Sequence, residues 1–134
     1  MLIFSKHKKN TLLFSYFSIE KNKKQRFDIT PPETFLQSSI LFKDKNFNVK
    51  PHIHKKNIKK INKTNEAWIV IRGEVKADLF DINKKKIKSI LLKKGSCLVM
   101  HDGGHSLKVT KKNTIFYEIK NGPFLKNKID KIEI

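Results

Sequence analysis

The chain has 134 residues, which suits one domain with one core. Its formal net charge is +18, a balance that raises nucleic acid or an anionic membrane as partner. Its thirty basic residues include only two arginines, Arg26 and Arg72, the rest being lysines. Arginine is the group that reads bases and phosphates bidentately, so specific nucleic-acid binding is not the leading expectation. Lys, Asn, Ile and Phe are all abundant, and A- and T-rich codons are a sufficient cause of the charge. No apolar run has the length needed to span a bilayer. Met1-Leu2-Ile3-Phe4 is too short, and too soon followed by charge, for a signal peptide. The single cysteine, Cys97, excludes an internal disulfide and suits a reducing compartment, so the expected location is cytoplasmic. Cys97 itself reads as a small buried hydrophobe.

In chain order, residues 11–19 form an apolar, aromatic run of strand length. Residues 20–26 are lysine-rich, lack a helical stripe and read as a solvated turn. Pro31-Pro32 stops any regular element. Residues 37–42 and 47–54 read as two strands around the turn 43–46. Residues 55–65 are polar, basic and long for a strand connection, as mobile or functional loops often are. Strand signals then become dense. Residues 66–72 are β-rich and end at Gly73. Residues 74–82 alternate Val75, Ala77 and Leu79 against Glu74, Lys76 and Asp78. A turn at 83–85 precedes a strand at 86–92, and Lys93-Lys94-Gly95 turns into a short buried strand at 96–100. Gly103-Gly104 bends the chain, and residues 106–110 and 114–120 form the last pair, closed by Asn121-Gly122-Pro123. Residues 124–134 fit a short helix or a tail. Short strands at roughly 8–12-residue spacing predict an antiparallel all-β sandwich or barrel. One domain spans 1–134, with a core at 37–124, an N-terminal strand and connector at 1–36, and a tail at 125–134.

The chemistry concentrates in His52-Ile53-His54. On an extended segment the two imidazoles point the same way, because side chains alternate faces. With a carboxylate and a third imidazole nearby, they form a ligand set for a divalent transition metal. Glu66 shares a face with Trp68 and Val70, where a carboxylate needs a partner. That partner is either a metal or a lysine. His105 follows Gly103-Gly104, which permit close backbone approach.

The ordered set His52-Ile53-His54, Glu66 followed six residues later by Gly73, and Gly95 through His105 resembles the two motifs of the cupin superfamily. Three departures are plain. The stretch between His54 and Glu66 is long, His101 stands where a proline is usual, and the final histidine falls one position early. Small bacterial cupins with a long loop, a G-G-H turn and an E-x-x-x-G-P-aromatic ending are similar in these respects. Glu118-Ile119-Lys120-Asn121-Gly122-Pro123-Phe124 matches that ending. The resemblance covers about 37–124. It implies an antiparallel double-stranded β-helix, or jelly-roll barrel, with His52, His54, Glu66 and His105 converging on one Fe, Mn, Ni or Zn ion. It also implies a homodimer, to which the run 11–19 could add a strand in its own sheet or a neighbour's. Such cupins are associated with nucleotide-sugar and surface-polysaccharide pathways.

Further candidates are weaker. His101 and Asp102 read as polar turn residues or as a pair that orients a ligand imidazole. Glu118 enters the barrel if the Phe116 face is inward; Glu118 and His101 are then the candidate acid–base residues. His7 reads as exposed. Most lysine clusters read as solvated loop tips, but Lys55 to Lys63 would lie at the barrel mouth and could draw in an anionic ligand. The expected function is a metal-binding cupin acting on a small anionic, sugar-derived molecule, by isomerase, epimerase or Fe(II) oxygenase chemistry. The alternatives are a non-catalytic small-molecule sensor and a basic nucleic-acid-binding barrel.

Overall fold

Alternation of apolar and polar residues, punctuated by glycine and asparagine turns, produces ten strands and no helix among the described residues. A computed structural model describes residues 1–19, 26–123 and 131–134. The strands are β1 (Leu2–Phe4), β2 (Leu12–Ser18), β3 (Arg26–Asp28), β4 (Ser39–Leu41), β5 (Glu66–Arg72), β6 (Glu74–Phe80), β7 (Lys86–Lys93), β8 (Ser96–Met100), β9 (Gly104–Val109) and β10 (Ile115–Lys120). They form a five-stranded sheet ordered β1-β2-β8-β5-β10, a three-stranded sheet ordered β7-β6-β9, and the hairpin β3-β4. Every pairing is antiparallel. The architecture is that of a β-sandwich.

The turns explain where strands stop. Gly73 (φ +81°) separates β5 from β6 in a conformation that L side chains rarely adopt, and an added Cβ would strike Thr114. Gly95 (φ +78°) makes the tight β7–β8 connection. Lys84 (φ 69°) sits in the β6–β7 turn, which Asp81 closes by accepting from the Lys84 amide through its backbone carbonyl at 2.9 Å.

The main core lies between the two sheets. Phe14 and Glu66 stand opposite Met100, and Trp68 stands opposite Leu98. Val75, Ala77 and Leu79 of β6 close the interior from the other side, and Phe14, Leu79, Leu92 and Leu98 are fully buried. A second cluster lies on the opposite face of the large sheet. There Phe17, Ala67, Cys97 and Val99 meet Ile29, with Phe27, Leu36, Ile40 and Ile69 packed around them. The β3-β4 hairpin and the chain joining its strands therefore cover this second face. Cys97 is buried there as expected, and burial pushes its thiol pKa up, against a pull from the Ser38 hydroxyl.

Some expectations change and one narrows: the pair expected from 106–110 and 114–120 is split between the sheets, since β9 pairs with β6 and β10 with β5. Residues 37–42 contain a strand only at Ser39–Leu41. Residues 47–54 form no strand: all of 42–65 lacks regular structure, and its side chains from 44 to 64 are exposed. The pattern for a strand is present there, but no neighbouring strand pairs with it. The run 11–19 is β2, held between β1 and β8 of its own sheet and so not available to a neighbour's. The turn expected at 20–26 lies outside the described residues except for Arg26, which opens β3. The ambiguous C-terminal stretch is described only at 131–134.

Candidate functional site

Inward-facing residues of β5 and β10 create the site. The register sets Lys120 opposite Glu66, Glu118 opposite Trp68, and Phe116 opposite Val70. Phe116, Glu118 and Lys120 thus share the face of the buried residues Glu66, Trp68 and Val70, which settles Glu118 as inward-facing. β9 adds His105 from the other sheet.

Glu66 is the centre of the cluster and is 5% exposed. The Trp68 indole N–H donates to its Oε1 at 2.6 Å. Its Oε2 lies 3.7 Å from His105 Nε2 and 3.6 Å from Lys120 Nζ. Lys120 Nζ also lies 2.9 Å from Glu118 Oε1. The His105 ring meets the Trp68 ring edge-on, with centroids 5.1 Å apart. These groups are two carboxylates, one ammonium, one imidazole and one indole donor within a single contact network.

Burial splits the two carboxylates. It pushes the Glu66 carboxyl above its ordinary range, helped by the nearby Glu118 charge and opposed by Trp68 and Lys120. Glu118 moves the other way, because the hydrogen bond from Lys120 favours its ionised form. The same bond raises Lys120. Burial lowers His105, and the Lys131 charge adds to that effect. The neutral imidazole thus stands beside the carboxyl that most readily holds a proton, and the ionised carboxylate stands with the ammonium. Two carboxyls driven apart in this way have the makings of an acid and its partner.

The cluster opens into a cavity of about 270 Å³. Glu66, His105 and Lys120 line it, together with Met100, Lys131 and Ile132. Ile134 also reaches this wall and packs beside Gly104, where an added Cβ would meet it. Sequence reasoning missed Lys131 and the other C-terminal residues, which carry no motif. It also missed Lys120 and the Trp68 bond. The signal for Lys120 was its i+2 spacing from Glu118, which places both on one face.

His52 and His54 do not join this cluster. Both are exposed on the strandless segment, with ring centroids 5.2 Å apart, and His52 Nδ1 lies 3.0 Å from the Lys50 carbonyl oxygen. The expected convergence of His52, His54, Glu66 and His105 is therefore not formed. The structure brings only Glu66 and His105 together. Among the described residues no three His, Cys, Asp or Glu groups are placed to hold a metal ion. The physical reason is the unpaired backbone of 47–54, since ligands on a strand need that strand docked.

His101 is buried, with Nε2 3.0 Å from the Ser15 hydroxyl. Its Nδ1 is buried without a hydrogen-bond partner among the described residues. Burial lowers its pKa. It does not line the cavity that holds Glu66, so it is poorly placed as that site's acid or base. Asp102 pairs with Lys63, which brings the end of the 55–65 stretch to the cavity rim. A scan of protein-family models and searches of curated proteins and of solved structures found no match to the chain.

Proposed function

We propose that the protein binds a small anionic, sugar-derived molecule in the 270 Å³ cavity and that Glu66 exchanges a proton with it. The observation that carries this reading is the buried Glu66 carboxyl with a raised pKa, set against the ionised Glu118–Lys120 pair. A carboxyl whose protonated form is favoured by burial can donate to a carbonyl or hydroxyl oxygen of a ligand. Lys120 and Lys131 supply attraction for a carboxylate or phosphate without the rigid fork of arginine. The same pocket without turnover would make the protein a sensor.

The site carries its own reporter. Trp68 is the only tryptophan, and its indole bonds Glu66. Titration with a panel of sugar phosphates and nucleotide sugars is expected to give a saturable change in its fluorescence, weakened at least tenfold in Lys120→Met. A flat response across the panel counts against the proposal. Product formation with a binding member separates enzyme from sensor.

A second reading has a specific observation behind it: His105 and Glu66 present a nitrogen and an oxygen 3.7 Å apart to one cavity. Two donors fall short of the three or four protein ligands of transition-metal sites. As arranged, the residues do not fit such an ion, and no chemistry is assigned to it. His52 and His54 would have to move to complete the set. Metal analysis of protein purified without a histidine tag tests this. About one equivalent of Fe, Mn, Ni or Zn, lost in His52→Ala/His54→Ala, would support it.

A further inference from the structure

The sandwich is open along one side. Among the described residues β9 pairs only with β6, and β10 only with β5. The inward residues of β9 feel this gap. Leu107 stands opposite Ala77 and Val109 opposite Val75, yet they are 39% and 47% exposed while their β6 partners are fully buried. A bare strand edge with half-uncovered apolar side chains invites another strand.

The chain carries a matching segment. Residues 47–54 alternate Phe47, Val49, Pro51 and Ile53 with Asn48, Lys50, His52 and His54. Phe47, Val49 and Ile53 are 55%, 57% and 94% exposed. They lie within 24 residues, 42–65, that contain no regular element. So long a structureless stretch inside a small domain is uncommon. Pro51 would be tolerated, because the added strand would itself be an edge.

The flanking anchors dictate its direction. At one end, Ile40 lines a cavity with Ile69, Val70 and Ile71, near the Gly73 end of β5. Gly73 abuts Thr114, and the Thr110 amide donates to the Glu74 carbonyl, so this is also the Val109 end of β9. At the other end, Lys63 pairs with Asp102, and the Asn65 side-chain amide donates to the His101 carbonyl at 3.0 Å, both just before β9 begins. Along the strand direction the segment thus starts at the level of the Val109 end of β9, from the far face of the large sheet, and finishes beside the beginning of β9. It runs antiparallel to β9, and residues 55–62 have ample reach to close the return, at roughly 3.3 Å per extended residue.

We propose that residues 47–54 add as an antiparallel strand to the free edge of β9, closing the open side over the cavity. The proposal rests on the sheet edges and the anchors, not on any ligand or metal. Its register decides what the histidines do. With His54 opposite His105, Ile53 falls opposite Ser106 and both imidazoles turn inward toward Glu66. A slip of one residue sets His52 opposite Ser106, turns Val49 and Ile53 inward, and leaves both imidazoles outside.

Disulfide trapping tests this. In a Cys97→Ala background, whose fold is checked first by thermal unfolding because Cys97 is buried, Ile53→Cys/Ser106→Cys and His52→Cys/Ser106→Cys each place two thiols at exposed positions. Directly opposed residues on paired strands lie within disulfide reach. Mild oxidation of metal-free protein is expected to form an intramolecular bond in one pair, with free thiols falling from two to none. Bonding in the first pair turns the histidines inward. Bonding in the second leaves the strand addition standing and removes the metal reading. No bond in either pair, or only disulfide-linked dimers, overturns the proposal. On the unaltered chain, hydrogen exchange should show protection at amides of both 47–54 and β9; fast exchange throughout 47–54 overturns it as well.

Discussion

β6 and β9 lie side by side in one sheet, and their inward residues face the same interior. Val75, Ala77 and Leu79 on β6 are fully buried, while their cross-strand partners Val109, Leu107 and His105 are partly open. The residue types are similar, apart from His105. The neighbours differ: among the described residues β6 is flanked on both edges and β9 on one. Burial is therefore set by what covers a strand as much as by its own hydrophobicity. The uncovered strand is also the one that contributes to the polar cluster around Glu66.

The sharpest way to break this comparison is truncation on each side. Phe14→Ala removes a fully buried ring opposite Met100 and is expected to cost about 3–5 kcal/mol in urea unfolding. Leu107→Ala, at a side chain 39% exposed in this structure, should cost about 1 kcal/mol or less, and a loss nearer that of Phe14→Ala is the outcome expected if residues 47–54 cover β9. Equal losses would show that the two regions are packed alike.

The next effect comes from a buried carboxylate on the closed side. Asp81 accepts from the Ser5 hydroxyl at 2.6 Å and from the amides of Lys6 at 2.7 Å and Ile82 at 2.8 Å. Burial alone would raise its pKa, but these bonds outweigh burial and hold it below the ordinary range. Asp81→Ala should cost about 2–3 kcal/mol at neutral pH. A lowered folded pKa contributes stability above the ordinary carboxylate value and loses it as pH falls through the folded value. The gap between the two proteins, followed by thermal unfolding, should therefore narrow in acid. A gap that widens in acid would contradict this.

Glu66 sharpens the comparison with an effect that is smaller and opposite in sign. Its folded pKa is raised, chiefly by burial. Its contribution to stability is full below the ordinary carboxylate value and is lost as pH rises through the raised one. Glu66→Gln should match the parent in acid and exceed it in thermal stability near neutral pH, while weakening ligand titration of Trp68. A variant less stable than the parent at neutral pH would mean that Lys120 and Trp68 more than offset the desolvation of the charge.

Between residues 66 and 120 the strands were legible, because period-two alternation is broken by glycine or asparagine where φ turns positive, as at Gly73, Gly95 and Asn113. β1 and β3 were missed, since three residues such as Arg26–Asp28 are too few to show a period. Residues 47–54 have the local pattern of a strand without a paired neighbour, and pairing is a long-range property that local pattern does not contain. The site followed the same division. Glu66 and His105 were picked out by spacing and do meet. Lys120 was not, because its place beside Glu66 depends on the register of β10 against β5. Lys131 depends on where the C-terminal residues lie along the cavity wall.

The position of β8 has a consequence for how the chain is made. β8 sits in the middle of the large sheet, hydrogen-bonded to β2 on one side and β5 on the other. During synthesis from the N-terminus, β2 emerges early and forms its ladder with β8 only after Ser96–Met100 has left the ribosome. Until then only local hairpins such as β3-β4 and β6-β7 can form, and Leu13, Phe14 and Phe17 wait without their final cover. Pairings this distant make a β protein slow to fold and expose it to aggregation meanwhile. The dense lysine charge, whatever else it does, sets nascent chains repelling one another through that interval.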